Sequence, residues 1–192
     1  DKSYVYSASS SFQRYLTAVG LADGSIRIVD PRSGSTALSF RGHSSYICDV
    51  EFSPNGGNNL VSSSGNGSMK IWDVRSLNTN SDDINNADAS PNCLISFGGG
   101  GQRAPMYGAK WRNNINVTSE PSIYAWSMDG SLRQYSTING LEHPVVPVKP
   151  NKHFPILSFD SSIDGKVGVY CGGTNGGKCK VGQNSIFYLV SL

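Results

Sequence analysis

The chain has 192 residues, with 16 Lys and Arg residues against 14 Asp and Glu residues and a net charge of +2. The basic residues are scattered, which argues against direct, sequence-independent binding of nucleic acid, because such binding requires clustered contacts to phosphates. No apolar stretch approaches the roughly 18 residues of a membrane span and no signal peptide is recognisable, so we expect an intracellular protein, nuclear or cytoplasmic.

The first forty residues alternate between strand-forming runs and turn residues. Runs rich in β-branched and aromatic residues favour strands, and the Ala22-Asp23-Gly24 segment favours a turn. The predicted strands are residues 4–9, 15–20, 25–30 and, as an outer strand, 36–40.

The next segment is the most regular part of the chain. Residues 42–76 read GHSSYICDVEFSPNGGNNLVSSSGNGSMKIWDVRS, with Gly42-His43 at the start and Trp72-Asp73 near the end. Asn66-Gly67 suits the positive-φ positions of a two-residue hairpin turn. The predicted strands are residues 46–52, 60–64, 68–74 and, as an outer strand, 93–97.

Two weaker copies of this pattern follow. The predicted strands are 106–111, 122–127, 131–136 and 145–149 in one copy, and 154–160, 167–171 and 185–190 in the other. Residues 76–92 interrupt the pattern, since Leu77 and Ile84 are their only bulky apolar residues. Such a segment cannot bury enough surface to offset its ordering entropy, so we predict a flexible insertion. A short acidic docking peptide is the alternative.

The order of Gly-His, turn, hairpin and Trp-Asp in residues 42–76 resembles one complete WD repeat, the unit of a WD40 β-propeller. A blade takes about 40 to 45 residues, so the resemblance implies an all-β fold with about four blades, at residues 1–40, 41–97, 98–149 and 150–192. The family's common ring has seven blades and needs roughly 300 residues at that blade length. We therefore expect residues 1–192 to be part of one propeller in a longer protein.

The same resemblance implies a structural role for the signature residues. In WD repeats a His, a Ser or Thr, an Asp and the Trp form a buried hydrogen-bond chain. His43, one of Ser62 or Ser64, and Trp72 can fill these places, while Asn66 stands where Asp is usual. A neutral acceptor should bind the imidazole more weakly than a carboxylate does. A catalytic or metal-binding His43 is the competing interpretation.

Residues 60–75 match throughout a sixteen-residue motif that ends in Trp-Asp-x-Arg. This motif is similar to the one found in substrate receptors of cullin-4 ubiquitin ligases. The resemblance implies that Asp73 and Arg75 present a charged pair to an adaptor on the lower face of the propeller. Asp30-Pro31-Arg32 repeats the pattern one blade earlier, so Arg32 is a further candidate. On the opposite, upper face we expect protein partners to contact the starts of the inner strands and the loops before them. The candidates there are Ser45, Tyr46, Arg103, Pro105, Lys152 and His153.

The order of these elements also resembles the family of the Cockayne syndrome type A repair protein and its fungal relatives. This resemblance implies a non-enzymatic scaffold in a multi-subunit complex, acting as a receptor or recruitment factor in ubiquitin-linked DNA repair. An enzyme or a small-molecule-binding propeller that uses the central mouth is the alternative.

No arrangement of residues predicts a catalytic site, a cofactor or a metal. Residues 172–179, GGTNGGKC, nearly match a phosphate-binding loop, but Cys179 replaces the hydroxyl that would hold magnesium. The segment also joins two predicted strands instead of opening a helix, so we predict a hairpin loop there.

Overall fold

The computed structural model describes residues 3–75, 92–98, 104–112, 121–144, 155–162, 167–172 and 186–191. The predicted insertion at 76–92 lies outside these residues except for Asn92, and so does the loop at 173–179. Every regular element in the described part of the chain is a β-strand, which confirms the all-β prediction. No helix in that part is long and apolar enough to cross a membrane.

The strands form four antiparallel sheets that follow one another along the chain. Sheet 1 contains β1 (Val5–Ser11), β2 (Leu16–Leu21), β3 (Ser25–Asp30) and β4 (Ser35–Arg41). Sheet 2 contains β5 (Ile47–Phe52), β6 (Asn59–Ser64), β7 (Met69–Asp73) and β8 (Asn92–Phe97). Sheet 3 contains β9 (Met106–Trp111), β10 (Ser122–Ser127), β11 (Leu132–Ser136) and β12 (Glu142–Pro144). Sheet 4 contains β13 (Ile156–Ser161), β14 (Val167–Gly172) and β15 (Ile186–Ser191).

The first strand of each sheet is its inner strand, and the four inner strands border a common concavity. Side chains from β1, β5, β9 and β13 line it together. The strand order within each sheet follows the chain, as expected for hairpin-connected strands. The outer strand of sheet 3 lies at Glu142–Pro144, whereas the sequence predicted residues 145–149, which lie outside the described residues.

The core lies between neighbouring sheets. Leu60 and Trp72 of sheet 2 pack with Ile26 and Phe40 of sheet 1 in one buried cluster. The opposite face of the same two strands, with Val61 and Ile71, packs on sheet 3, where Met106 and Trp111 are among the buried partners. Both faces of a middle strand are therefore buried, and apolar residues occur at adjacent positions instead of every second one.

Each inner strand contains a β-bulge one residue after its start. The pairing register skips a residue at these positions, which leaves Tyr6, Cys48, Tyr107 and Leu157 unpaired in the ladder. A bulge bends the strand and redirects its side chain. Tyr6 and Leu157 are exposed, and Cys48 and Tyr107 are half-buried. The repetition of this bulge in four sheets shows that the sheets share one local design despite their divergent sequences.

Candidate functional site

A buried hydrogen-bond chain crosses sheet 2. The indole Nε1–H of Trp72 donates to Ser62 Oγ at 2.8 Å, and Ser62 Oγ lies 2.7 Å from His43 Nε2. The other imidazole nitrogen, Nδ1, lies 2.7 Å from Ser68 Oγ, which donates to Asn66 Oδ1 at 2.6 Å. The chain thus runs from Trp72 through a serine, the imidazole and a second serine to an amide.

The direction of every proton in this chain follows from its ends. Backbone N–H of Ser68 also donates to Asn66 Oδ1 at 3.0 Å, which identifies that amide atom as the oxygen. Because the Ser68 hydroxyl gives its proton to Asn66, it must accept from His43 Nδ1–H. His43 Nε2 is then the acceptor for the Ser62 hydroxyl, and the bonds point one way from Trp72 to Asn66, an arrangement that strengthens each bond.

The imidazole in this chain is neutral. Burial, together with the positive charge of Lys70, lowers the pKa of His43 to about 3. Both ring nitrogens are occupied by hydroxyl groups, so the imidazole of His43 has neither a lone pair for a metal nor a free site for substrate. In the described part of the chain no group of three or more His, Cys, Asp or Glu residues is placed to hold a metal ion.

One detail of the turn differs from the sequence prediction, and one alternative that the sequence left open, Ser62 or Ser64, is decided in favour of Ser62. Gly67 has a φ of 77°, but Asn66 is not among the residues with positive φ, so the turn is not the two-residue type. Instead the Asn66 side chain accepts the backbone N–H two residues on, which closes an Asx turn. Ser64 does not contact His43, because its hydroxyl donates to the Tyr46 carbonyl at 2.9 Å.

Ser68 was missed by the sequence analysis, although a signal for it exists. The triplets Asp23-Gly24-Ser25, Asn66-Gly67-Ser68 and Asp129-Gly130-Ser131 occupy the same turn in three sheets. In each triplet the Ser hydroxyl and its backbone N–H both donate to the first residue's side chain. Among the described residues a His contacts the serine of this turn in sheet 2, and there the turn extends through the imidazole to Ser62 and Trp72.

A second polar arrangement joins the inner strands across the concavity. Asp49 of β5 accepts from Ser7 Oγ of β1 at 2.7 Å and from the backbone N–H of Ala109 in β9 at 3.4 Å. Glu51 accepts from the backbone N–H of Trp111 at 2.6 Å. Adjacent inner strands are not paired in one sheet, so these carboxylates satisfy backbone groups that have no ladder partner.

The environment of these carboxylates favours the protonated form. Burial raises the pKa of Asp49, and burial raises that of Glu51 to about 7. Lys110 opposes both shifts while its ammonium pairs with Asp160 of β13 at 2.5 Å. The concavity therefore contains carboxylates that are already engaged in tying blades together. Polar residues within the apolar run ICDVEF were the available sequence signal.

The charged pairs of the lower face have the same geometry in two sheets. Arg75 Nη2 lies 2.6 Å from Asp73 Oδ2, and its Nε donates to Asp73 Oδ1 at 3.0 Å. Arg32 and Asp30 repeat this fork at 2.7 and 3.0 Å. The arginine side chains are 64% and 67% exposed. In each pair the hydrogen bond from the Arg side chain is the main reason why the Asp pKa is lowered.

The predicted upper-face residues are only partly within the described residues. Tyr46 is 39% exposed and its ring meets that of Tyr6 edge to face, with centroids 5.8 Å apart. Ser45 and Pro105 are half-buried, and Ser45 directly precedes Tyr46 in the chain. Arg103, Lys152 and His153 lie outside the described residues.

Comparison with known proteins agrees with the fold. Residues 34–73 match the family "WD domain, G-beta repeat". The β-propeller domain of Cps50 (Swd1) from Myceliophteria thermophila has a TM-score of 0.67 at 18% identity, and the match covers 90% of this chain and 50% of that one. The structure therefore has a β-propeller fold, as the sequence predicted, and residues 34–73 match a WD repeat within it.

Sequence relatives are ribosome biogenesis proteins. YTM1 of Ajellomyces capsulatus is 31% identical over 112 residues, which is 54% of this chain and 23% of the relative. Ytm1 of Pyrenophora tritici-repentis is 35% identical over 71 residues, 35% of this chain and 15% of the relative. The chain thus matches only about a quarter or less of the length of these curated relatives.

These relatives correct the expectation of a repair protein. Both relatives are named for ribosome biogenesis, and neither is a Cockayne syndrome type A protein. The predicted role in ubiquitin-linked DNA repair, and the cullin-4 adaptor predicted with it, rested on short motifs of WD repeats. Such motifs report the blade and its turns, which many unrelated functions share.

Proposed function

We propose that this chain is part of a non-enzymatic WD-repeat scaffold that holds protein partners together during ribosome biogenesis, in the nucleus or cytoplasm. The similarity to YTM1 over 112 residues carries this proposal. The WD40 propeller fold supports it, because such a fold presents many loops on a rigid frame, where binding residues are commonly found.

The contacts between blades favour a platform over an enzyme. Asp49 and Glu51 are half-buried carboxylates that line the central concavity, and both accept backbone N–H groups of the next blade. A general acid or base needs a carboxylate that can reach substrate. Here the carboxylates hold β5 and β9 at a fixed separation, which keeps the loops at both ends of the blades in a fixed arrangement.

Two surfaces supply the proposed partner contacts. On the upper face we propose Ser45, Tyr46 and Pro105, with the exposed Tyr6 ring beside Tyr46. Tyr is over-represented among interface residues that dominate affinity. On the lower face we propose the two Asp–Arg pairs, with Arg32 and Arg75 as the exposed members.

Sedimentation of the intact protein tests the proposal. We expect a tagged copy to co-sediment with ribosomal precursor particles in a sucrose gradient, and depletion of the protein to lower the amount of ribosomal subunits. A protein that sediments only as a free species, with subunit levels unchanged on depletion, would overturn the proposal. Release of the protein from the particles by Tyr46→Ala, with Leu94→Ala in the outer strand β8 as an exposed control, would locate the contact on the upper face.

A further inference from the structure

Turns from two blades meet in one continuous surface on the lower face. Gln13 Nε2 in the β1–β2 turn donates to the Pro54 carbonyl in the β5–β6 turn at 3.3 Å. Beside it, Arg14 Nη1 donates to Asn58 Oδ1 at 3.3 Å. The two turns also approach at Gly57, where an added Cβ would lie 2.1 Å from Ser11 Oγ. The surface therefore has a fixed shape although its parts are about forty residues apart in the chain.

Exposed aromatic rings occupy the sheet 1 side of this surface. The ring of Phe12 is 82% exposed and that of Tyr15 is 54% exposed, and their centroids lie 5.8 Å apart. Tyr15 has a φ of 53°, a left-handed conformation that is rare for a bulky residue and persists only where its surroundings impose it. The strained backbone holds this ring at the surface, with the Arg32 guanidinium 5.5 Å from its centroid.

One arginine fork, Arg32 with Asp30, lies beside the Tyr15 ring, and the other, Arg75 with Asp73, lies in sheet 2, where Asp73 is within electrostatic reach of Arg14. Arg32 and Arg75 each spend Nε–H and one Nη2–H on the neighbouring Asp. A guanidinium has five N–H donors, so the edge formed by Nη1 and the remaining Nη2–H is directed away from that Asp. An exposed arginine ordinarily loses much side-chain freedom on binding, but here the fork has already fixed the guanidinium. Each guanidinium is thus already oriented to donate hydrogen bonds to a second carboxylate.

We propose that this lower-face surface, made of Phe12, Arg14, Tyr15, Arg32 and Arg75, binds an extended acidic segment of a partner protein that carries an apolar side chain between its carboxylates. The carboxylates would meet the outward guanidinium edges of Arg32 and Arg75, and the apolar side chain would cover the Phe12 and Tyr15 rings. This inference rests on the proposed scaffold function and names the chemistry of one of its partners.

Charge at this surface favours an acidic peptide over RNA. Asp30 and Asp73 lie within the surface and offset two of its three arginines. A polyanion, which needs several neighbouring unpaired cations, is therefore attracted weakly. A peptide with a few carboxylates, each placed on one guanidinium edge, uses the bidentate geometry and meets little repulsion.

Fluorescence anisotropy with the intact protein tests the proposal. The probe is a short fluorescein-labelled peptide in which Glu and Asp flank a central Leu-Phe pair, and the matched control peptide has Gln and Asn in their places. We expect the acidic peptide to bind at least about tenfold more tightly, since a charge-assisted hydrogen bond contributes about that factor. The double variant Arg32→Ala/Arg75→Ala should lose this preference, whereas Arg41→Ala, an exposed arginine on the opposite edge of sheet 1, should keep it.

The Asp73→Asn variant distinguishes binding by an Arg75 guanidinium that Asp73 already orients from simple charge attraction. The amide still accepts the Arg75 backbone N–H, which Asp73 Oδ1 accepts at 2.9 Å, but it no longer holds the guanidinium. If the orientation of Arg75 by Asp73 contributes to binding, this variant binds the acidic peptide several-fold more weakly although its surface is more positive. Tighter binding would refute the role of that orientation.

Equal binding of the acidic and amide peptides, or an equal loss in Arg41→Ala, would overturn the assignment of the surface. Tighter binding of a single-stranded uridine-rich RNA than of the acidic peptide would overturn it in favour of RNA. Co-sedimentation with ribosomal particles is measured separately, so the scaffold function can hold where this peptide surface fails.

Discussion

Three serines of sheet 2 provide matched perturbations of the hydrogen-bond chain, because each Ser→Ala change removes one buried hydroxyl from the same part of the blade. Ser62, Ser63 and Ser68 are all at most 3% exposed. Ser62 and Ser68 contact His43, whereas Ser63 Oγ has no hydrogen-bond partner among the residues that the structure describes. The series therefore varies the hydrogen bonding while the lost volume stays constant.

The expected magnitudes follow from the buried polar groups that each change leaves without a hydrogen-bond partner. Ser68→Ala leaves the His43 Nδ1–H buried without an acceptor, which costs about 1–3 kcal/mol. Ser62→Ala strands both the Trp72 indole N–H and His43 Nε2, so we expect roughly 2–5 kcal/mol. Ser63→Ala removes an unsatisfied hydroxyl, so its effect should lie within about 0.5 kcal/mol of zero or be stabilising.

Urea unfolding of the intact protein, followed by tryptophan fluorescence, measures this order. A change of midpoint with an unchanged slope reports stability alone. Destabilisation in the order Ser62→Ala, then Ser68→Ala, then Ser63→Ala would agree with the proton directions inferred above. An equal loss in all three variants would refute the reasoning, because the cost would then come from lost volume and not from stranded polar groups.

Three further changes probe the buried groups. The folded imidazole of His43 has a pKa of about 3 against 6.5 for the free side chain, so the unfolded chain binds the proton first. The His43 contribution to stability therefore falls by up to about 5 kcal/mol as the pH drops from 6.5 towards 3, and the difference in urea midpoint between wild type and His43→Ala should follow that fall. Glu51 has the opposite sign, since its folded pKa is about 7 against 4.5. Its contribution of about 3 kcal/mol is lost as the pH rises from 4.5 to 7. The two effects offset each other in wild type, so the Glu51 effect is the difference between wild type and Glu51→Gln, and identical pH profiles of the two would contradict it. Gly108→Ala places a Cβ 2.0 Å from the buried Trp126 ring, so thermal unfolding should show a loss of about 1–3 kcal/mol from overpacking, whereas Gly34→Ala, with open space around it, tests the smaller cost of a positive φ alone.

Local sequence patterns were sufficient for most of the strands and for the type of fold. The strand at residues 60–64 was predicted two positions from an Asn-Gly turn and is observed at Asn59–Ser64. Such elements depend on turn chemistry and on neighbouring residues, which the sequence displays directly. The position of Trp72 thirty residues after Gly42 reflects the fixed length of a blade, and it predicted correctly that the chain is an all-β propeller.

Contacts between blades could not be read from the sequence in the same way. The backbone N–H groups that donate to Asp49 and Glu51 lie sixty residues away in β9, and the lower-face surface combines turns from sheets 1 and 2. Which hydroxyl meets His43 depended on how the β6–β7 turn closes, a choice that brought in Ser68 and left Ser64 on the Tyr46 carbonyl. The sequence by itself determined the strands, their turns and the blade, because those depend on residues close in the chain. Only the packing of one blade on the next decided which polar groups meet, since the neighbouring sheets create the burial on both faces of a sheet.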